Sequence, residues 1–219
     1  MAVSAQSILR RVVDQLSDAG NVRWKAAELV RYLNDGQKEV LIYRPDATGT
    51  TLPVGLVAGA RQMLPANAFK LLDVIRNTGG TKAAVRKIDQ KLLDAQLPNW
   101  YNAAGQAVIK HYMYDVRDPR VFYVYPPAAA SGASLEILYS VYPPAIAEPA
   151  DGASYTTVTG DITVNDFYSN CLIDYVLFRS FAKDAEFGGN AERAAAHYAA
   201  FQNGLGVEAS GTAVVSPKE

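Results

Sequence analysis

A chain of 219 residues, 49% hydrophobic and 20% charged, has the make-up of a folded globular protein rather than a disordered one, and is long enough for one large domain or a domain carrying a substantial insertion. Its single cysteine, Cys171, excludes an internal disulfide framework, and a formal charge of −1 without a basic stripe excludes a protein built to grip nucleic acid. No run approaches the roughly 18 uncharged apolar residues of a membrane span, and the first seven residues lack the basic start and apolar core of a signal peptide, so cytoplasmic synthesis is the expectation.

From Ser7 to Asp18, Ile8, Val12 and Leu16 recur at helical spacing with Leu9 and Val13 beside them, which predicts a first helix with Ser4 or Ser7 as its cap. Leu29, Val30, Leu33, Gln37, Val40 and Leu41 form the inner face of a second helix from about Trp24 to Arg44, stopped by Pro45. Residues 46–53, rich in Thr and Gly, read as a loop, after which the pattern turns extended. Strands are predicted at Ala60–Pro65, Phe69–Arg76 and Val85–Ile88, followed by a brief helix at Asp89–Gln96. Val108–Tyr114, Val121–Tyr125 and Leu135–Tyr142 then read as an antiparallel meander, and Pro143–Gly160 as a connector of low complexity. A long helix is expected from Asp166 to Phe187 with Asn165 as its cap. Gly188-Gly189-Asn190 breaks it, a last helix covers Ala191–Asn203, and the segment from Gly204 on has no periodicity and reads as extended.

The predicted class is α+β: a four-helix unit made by the N- and C-terminal helices, an inserted antiparallel β-rich domain, and an extended C-terminal tail. The expected boundaries are 1–45 for the first helical pair, 46–160 for the insertion, 161–205 for the second pair and 206–219 for the tail.

Residues that carry chemistry are sparse. His111 sits in a predicted strand and His197 in the last helix, with neither His-x-x-x-His nor His-x-Glu spacing, so no metal and no cofactor is expected. Cys171 lies among Leu172 and Ile173 and reads as a small buried hydrophobe rather than an activated thiolate. Gly79-Gly80-Thr81-Lys82 lacks the earlier glycine of a phosphate loop, and the Asp115/Asp118 and Asp184/Glu186 pairs fit a turn and a charged helix end. No catalytic residue is assigned, and an enzyme is not the expectation. The long helix stands out, because Phe167, Tyr168, Leu172, Ile173, Tyr175, Val176, Leu177, Phe178 and Phe181 make it apolar almost all round. Such a helix is covered on several sides, by its own core or by a neighbouring subunit.

Four segments together point to a family. They are WKAAELVRYLNDGQKEVLIYRPD (Trp24–Asp46), LPANAFKLLDVIRN (Leu64–Asn77), YDVRDPRVFYVYPP (Tyr114–Pro127) and DYVLFRSFAKDAEFGGNAERAAAHYAAF (Asp174–Phe201). In order and spacing they resemble the head–tail adaptor proteins of short-tailed phages, with a more distant architectural likeness to tail tubular protein A. The resemblance implies a virion neck protein, assembled in the host cytoplasm as a homo-oligomeric ring of twelve copies beneath the portal. Such a ring prolongs the DNA channel and gives tail nozzle or fibre proteins their docking surface, with DNA passing and not being specifically bound. On that frame, Leu33, Val40, Tyr175 and Phe178 are the expected subunit contacts. Gly206, Val207, Val214 and Val215 would meet the portal, and Tyr112, Tyr114, Tyr123 and Tyr125 would meet tail proteins. The alternatives are another tail or neck component, or a carbohydrate- or ligand-binding module that stacks sugars on Trp100, Tyr101 and the strand tyrosines.

Overall fold

The computed structural model describes residues 3–215, with side chains as far as Gly206. In chain order the helices and strands are α1 (Ala5–Leu16), α2 (Ala26–Tyr43), β1 (Gly49–Gly55), β2 (Gly59–Met63), β3 (Ala68–Asn77), β4 (Arg86–Lys87), α3 (Gln90–Gln96), β5 (His111–Tyr114), β6 (Val121–Ala128), β7 (Ser134–Val141), α4 (Ser169–Lys183) and α5 (Asn190–Val215). The fold is α+β, as the periodicities predict. It divides into a helical unit, Met1–Thr48 with Pro143–Glu219, and a β unit, Gly49–Tyr142.

In the helical unit, α1 begins at the Ser4 cap, whose hydroxyl accepts the Ser7 N–H at 3.2 Å. Ile8, Leu9, Val12, Val13 and Leu16 are all buried, so the apolar stripe read from sequence is the packed face. The turn into α2 is tied by one side chain. The Asp18 carboxylate accepts the backbone N–H groups of Val22, Arg23 and Trp24, each at 2.9 Å. Trp24 then inserts, with its indole N–H donating to the Ser180 carbonyl at 3.2 Å.

The all-round apolar character of α4 has its cause inside the chain: α1, α2 and α5 all pack against it. Two glycines set how closely. A Cβ on Gly36 of α2 would stand 2.9 Å from Tyr175 Cδ1, and one on Gly204 of α5 would stand 2.6 Å from Cys171 Sγ. Bare backbone at both positions lets the neighbouring helices approach α4.

Three expectations are corrected here. The residues of 143–160 do not belong with the β insertion but with the helical unit, as an ordered strap. Side-chain amides hold it: Asn34 exchanges two hydrogen bonds with the Ile146 backbone at 2.9 and 3.0 Å, Asn21 accepts from the Tyr155 N–H, and Gln37 accepts from the Thr163 N–H at 2.8 Å. Alanine, proline and glycine give no periodicity, so the strap's order comes from these partners and not from its own pattern. The helix expected to open at Asp166 begins as a 3₁₀ turn, Asp166–Tyr168, before α4 proper. The backbone of α5 continues helical to Val215 through Gly204 and Gly206, past the expected start of an extended tail, while 216–219 lie outside the described residues.

In the β unit, one sheet has the order β1-β7-β3 and the other β2-β6-β5-β4. Leu71 and Val74 of β3, Leu135, Ile137 and Tyr139 of β7, Tyr112 of β5 and Phe122 and Val124 of β6 share one core. The second face of the four-stranded sheet is covered by Leu93 of α3 and by Trp100, packed with Met113 and Ala60. The expected meander is therefore corrected. β5 and β6 pair antiparallel, but β7 leaves them to lie between β1 and β3, and β4 runs parallel to β5. β1, read from sequence as loop, is an edge strand whose residues are mostly exposed. An edge needs no apolar alternation and tolerates Pro53, so its composition hid it.

Candidate functional site

The residues expected at the subunit contact hold the chain's own core. Leu33 and Val40 have no exposed surface and Tyr175 is 6% exposed. Tyr175 packs edge-on to Phe178 at 5.9 Å and against Phe201 at 5.2 Å, and Phe178 lies against Tyr198 at 4.8 Å. Only half-buried Phe178 keeps surface to offer, because the inner faces of α2 and α4 are spent on each other. The faces left outward are different. On α2 they carry Arg31, Asp35, Lys38, Ile42 and Tyr43. On α5 they carry Glu192, Arg193, Ala195, Ala196, Ala199, Ala200, Gln202 and Asn203, so that charge is confined to the first turn. Phe167, in the turn before α4, is 80% exposed.

The four strand tyrosines do not form one surface. Tyr112 is buried in the core between the sheets, where its hydroxyl donates to Asp73 Oδ1 at 2.8 Å; burial, and then that hydrogen bond, push its pKa up. Tyr114 shares its side of β5 and donates to the Pro119 carbonyl at 3.1 Å. Tyr123 and Tyr125 point the other way, both edge-on to Trp100 at 6.4 and 6.3 Å. Trp100 itself is 2% exposed, stacked under Tyr101 at 3.8 Å and donating to Asp94 Oδ1 at 2.7 Å. A buried indole with a satisfied N–H is a structural pin, not a platform for a sugar ring.

One cleft in the β unit escapes a sequence reading. It encloses about 910 Å³ between the β4–α3 segment and the Asp115–Asp118 turn, over a floor that includes Met113, Val121 and Tyr123. Lys87, Lys91, Asp89 and Asp94 line one wall; Asp115, Arg117 and Asp118 line the other. Hydrogen bonds from the Arg117 side chain, then from its backbone N–H, hold the Asp115 carboxyl down at about 2. The parallel pairing of β4 with β5 brings these walls together, and residues 86 and 111 are too far apart in sequence for any local motif to announce it.

His197 and Cys171 sit in ordinary structural surroundings, while the buried Nδ1 of His111 has no hydrogen-bond partner among the described residues. His197 Nδ1 lies 2.9 Å from Asp174 Oδ1 of α4, a partner that sequence proximity did not suggest, and its ring stacks on Phe181. His111 stacks on Tyr125, and Cys171 is buried against α5. Among the described residues no group of three or more His, Cys, Asp or Glu stands together to hold a metal ion, and no helix is long and apolar enough to cross a membrane.

What the geometry offers is the outward faces of α2 and α5, the aromatic cluster around Trp100 and the cleft of the β unit. Compared with known protein families, the sequence aligns over residues 3–217 with a family of phage adaptors, structural components of the virion. The chain belongs to the SU10 adaptor protein family, a phage head–tail adaptor family. Among curated proteins none matches it.

Proposed function

We propose that the chain forms a ring, of twelve copies, that joins the portal to the tail and continues the DNA channel between them. The family match across residues 3–217 carries this reading. Head-to-tail contacts between copies close such a ring. In this reading they fall on the outward faces of α2 and α5 in place of Leu33 and Val40. The last turns of α5, with Gly206, Val207, Val214 and Val215, seat on the portal, and the β unit, with Tyr101 and Tyr114, faces tail nozzle or fibre proteins. The near-neutral chain lets DNA pass, since each phosphate clamped by a cation strengthens binding.

Deletion of residues 206–219 tests the portal assignment. The cut leaves Leu205, which is 5% exposed, and every buried core residue among the described side chains. The expected result is an intact fold by circular dichroism with loss of co-migration with the portal on size exclusion. Unchanged co-migration sinks the assignment.

A further inference from the structure

We infer that the β4–α3 edge of the β unit docks onto the helical unit of a second copy, by charge complementarity built into the two units. This rests on the ring reading and adds a second contact between copies to the α2 and α5 faces. The formal charge of −1 conceals a division: the β unit, 49–142, holds 10 Lys and Arg against 6 Asp and Glu, and the helical unit holds 11 against 16. The units thus carry +4 and −5. Two-fold pairing of like unit on like unit sets equal signs together. Head-to-tail pairing sets opposite signs together, and it is the kind that closes into rings.

The basic side has a definite place. Arg86 and Lys87 are β4, the edge of the four-stranded sheet. The Arg86 N–H donates to the Lys110 carbonyl at 3.1 Å, and Lys87 and Lys91 line the same cleft. Arg86, Lys87, Lys91 and Lys110 are exposed, and among the described residues none is ion-paired. Cations on an edge strand discourage addition of a further strand, so this edge meets a partner through side chains. The acidic side is the strap. No Lys or Arg occurs between Arg120 and Arg179, while Glu148 and Asp151 are exposed along it and Asp161 and Asp166 just after it, and among these described residues only Glu148 has an ion pair, with Arg31. A nucleic-acid backbone fits the basic edge less well. Asp89, Asp94, Asp115 and Asp118 share its cleft and would repel phosphates, whereas the strap is flanked by Arg10 beside Tyr155 and Thr156 and by Arg31 beside Glu148, cations that can meet them.

The test is self-association of the full-length chain, alone and on the portal, followed by mass photometry. Raising NaCl from about 50 to about 500 mM should weaken association about tenfold, because screening removes the attraction. Lys87→Glu with Lys91→Glu should weaken it comparably at the lower salt, with an unchanged circular dichroism spectrum. Adding Asp151→Lys and Asp161→Lys to the same chain should restore it. Rings that form equally at both salts and in the double variant overturn the pairing and leave the ring reading standing. No self-association in any condition overturns both. A wild-type chain that retards duplex DNA, with retardation lost in the lysine variant and self-association unchanged, assigns the edge to phosphate and overturns the pairing.

Discussion

Glu28 sits where three side chains decide its charge. Burial pushes its pKa up, but the hydrogen bond from Lys183 at 2.7 Å, the Tyr32 hydroxyl at 2.8 Å and the fields of Lys183 and Arg31 outweigh it and hold the carboxyl below 4.5. A carboxylate depressed in the folded state contributes stability that is full above its unfolded pKa and is lost as pH falls through the folded one. Urea midpoints followed downward from about pH 6 to about pH 3 should therefore fall, and Glu28→Gln should flatten part of that fall; superimposable curves contradict the assignment. Tyr32 gives the opposite limb. Burial first, then its bond to Glu28, raise it from 10.0 to about 12. Its contribution is full below pH 10 and is lost as pH rises through about 12. Asn34 carries a different lesson. It reads as one more polar residue of an amphipathic helix, yet its two bonds to Ile146 pin the strap. Asn34→Ala should cost about 1–3 kcal/mol by leaving backbone groups unsatisfied, lowering the thermal midpoint by several degrees, and unchanged stability would show that the strap is held elsewhere.

Among the elements, those with a strong local pattern are legible from the residues alone. The stripe Ile8-Val12-Leu16 and the proline stop after α2 place two helices to within about two residues, an ordinary boundary uncertainty. What escapes sequence is whatever a partner far along the chain decides. β1 has no alternation because one edge of it is solvent, β7 joins the other sheet because its register fits β1 and β3, and the strap is ordered by amides on α2 and on the turn that precedes it. The apolar α4 is legible as buried but not as buried by its own chain. Helix packing also yields a sharp prediction. Gly204→Ala drives a methyl toward Cys171 Sγ, 2.6 Å away, and Gly36→Ala toward Tyr175, 2.9 Å away. Each should destabilise by about 1–3 kcal/mol, as overpacking does. Calorimetry checks this, and Cys171→Ala should rescue Gly204→Ala but not Gly36→Ala. Rescue of both, or of neither, would place the strain elsewhere.

At the scale of the whole molecule, the family could be read from four ordinary segments held in a fixed order, and the match over residues 3–217 establishes it. Which residues stay outward could not be read that way. Large apolar side chains such as Leu33, Val40 and Tyr175 attract attention in a sequence, but they are the ones a fold spends on itself. An assembly surface has to survive exposed in the free chain, so it is drawn from small, charged and half-covered residues whose pattern resembles any solvated face. The division of charge between the units is visible only once the unit boundaries are known. The measurement that bears most directly on the ring is electron microscopy of this chain mixed with the portal of its own phage. The expected result is class averages with rotational symmetry, a ring of copies stacked coaxially on the portal with an open channel. Portal particles that stay bare, beside a chain that never joins them, would contradict it.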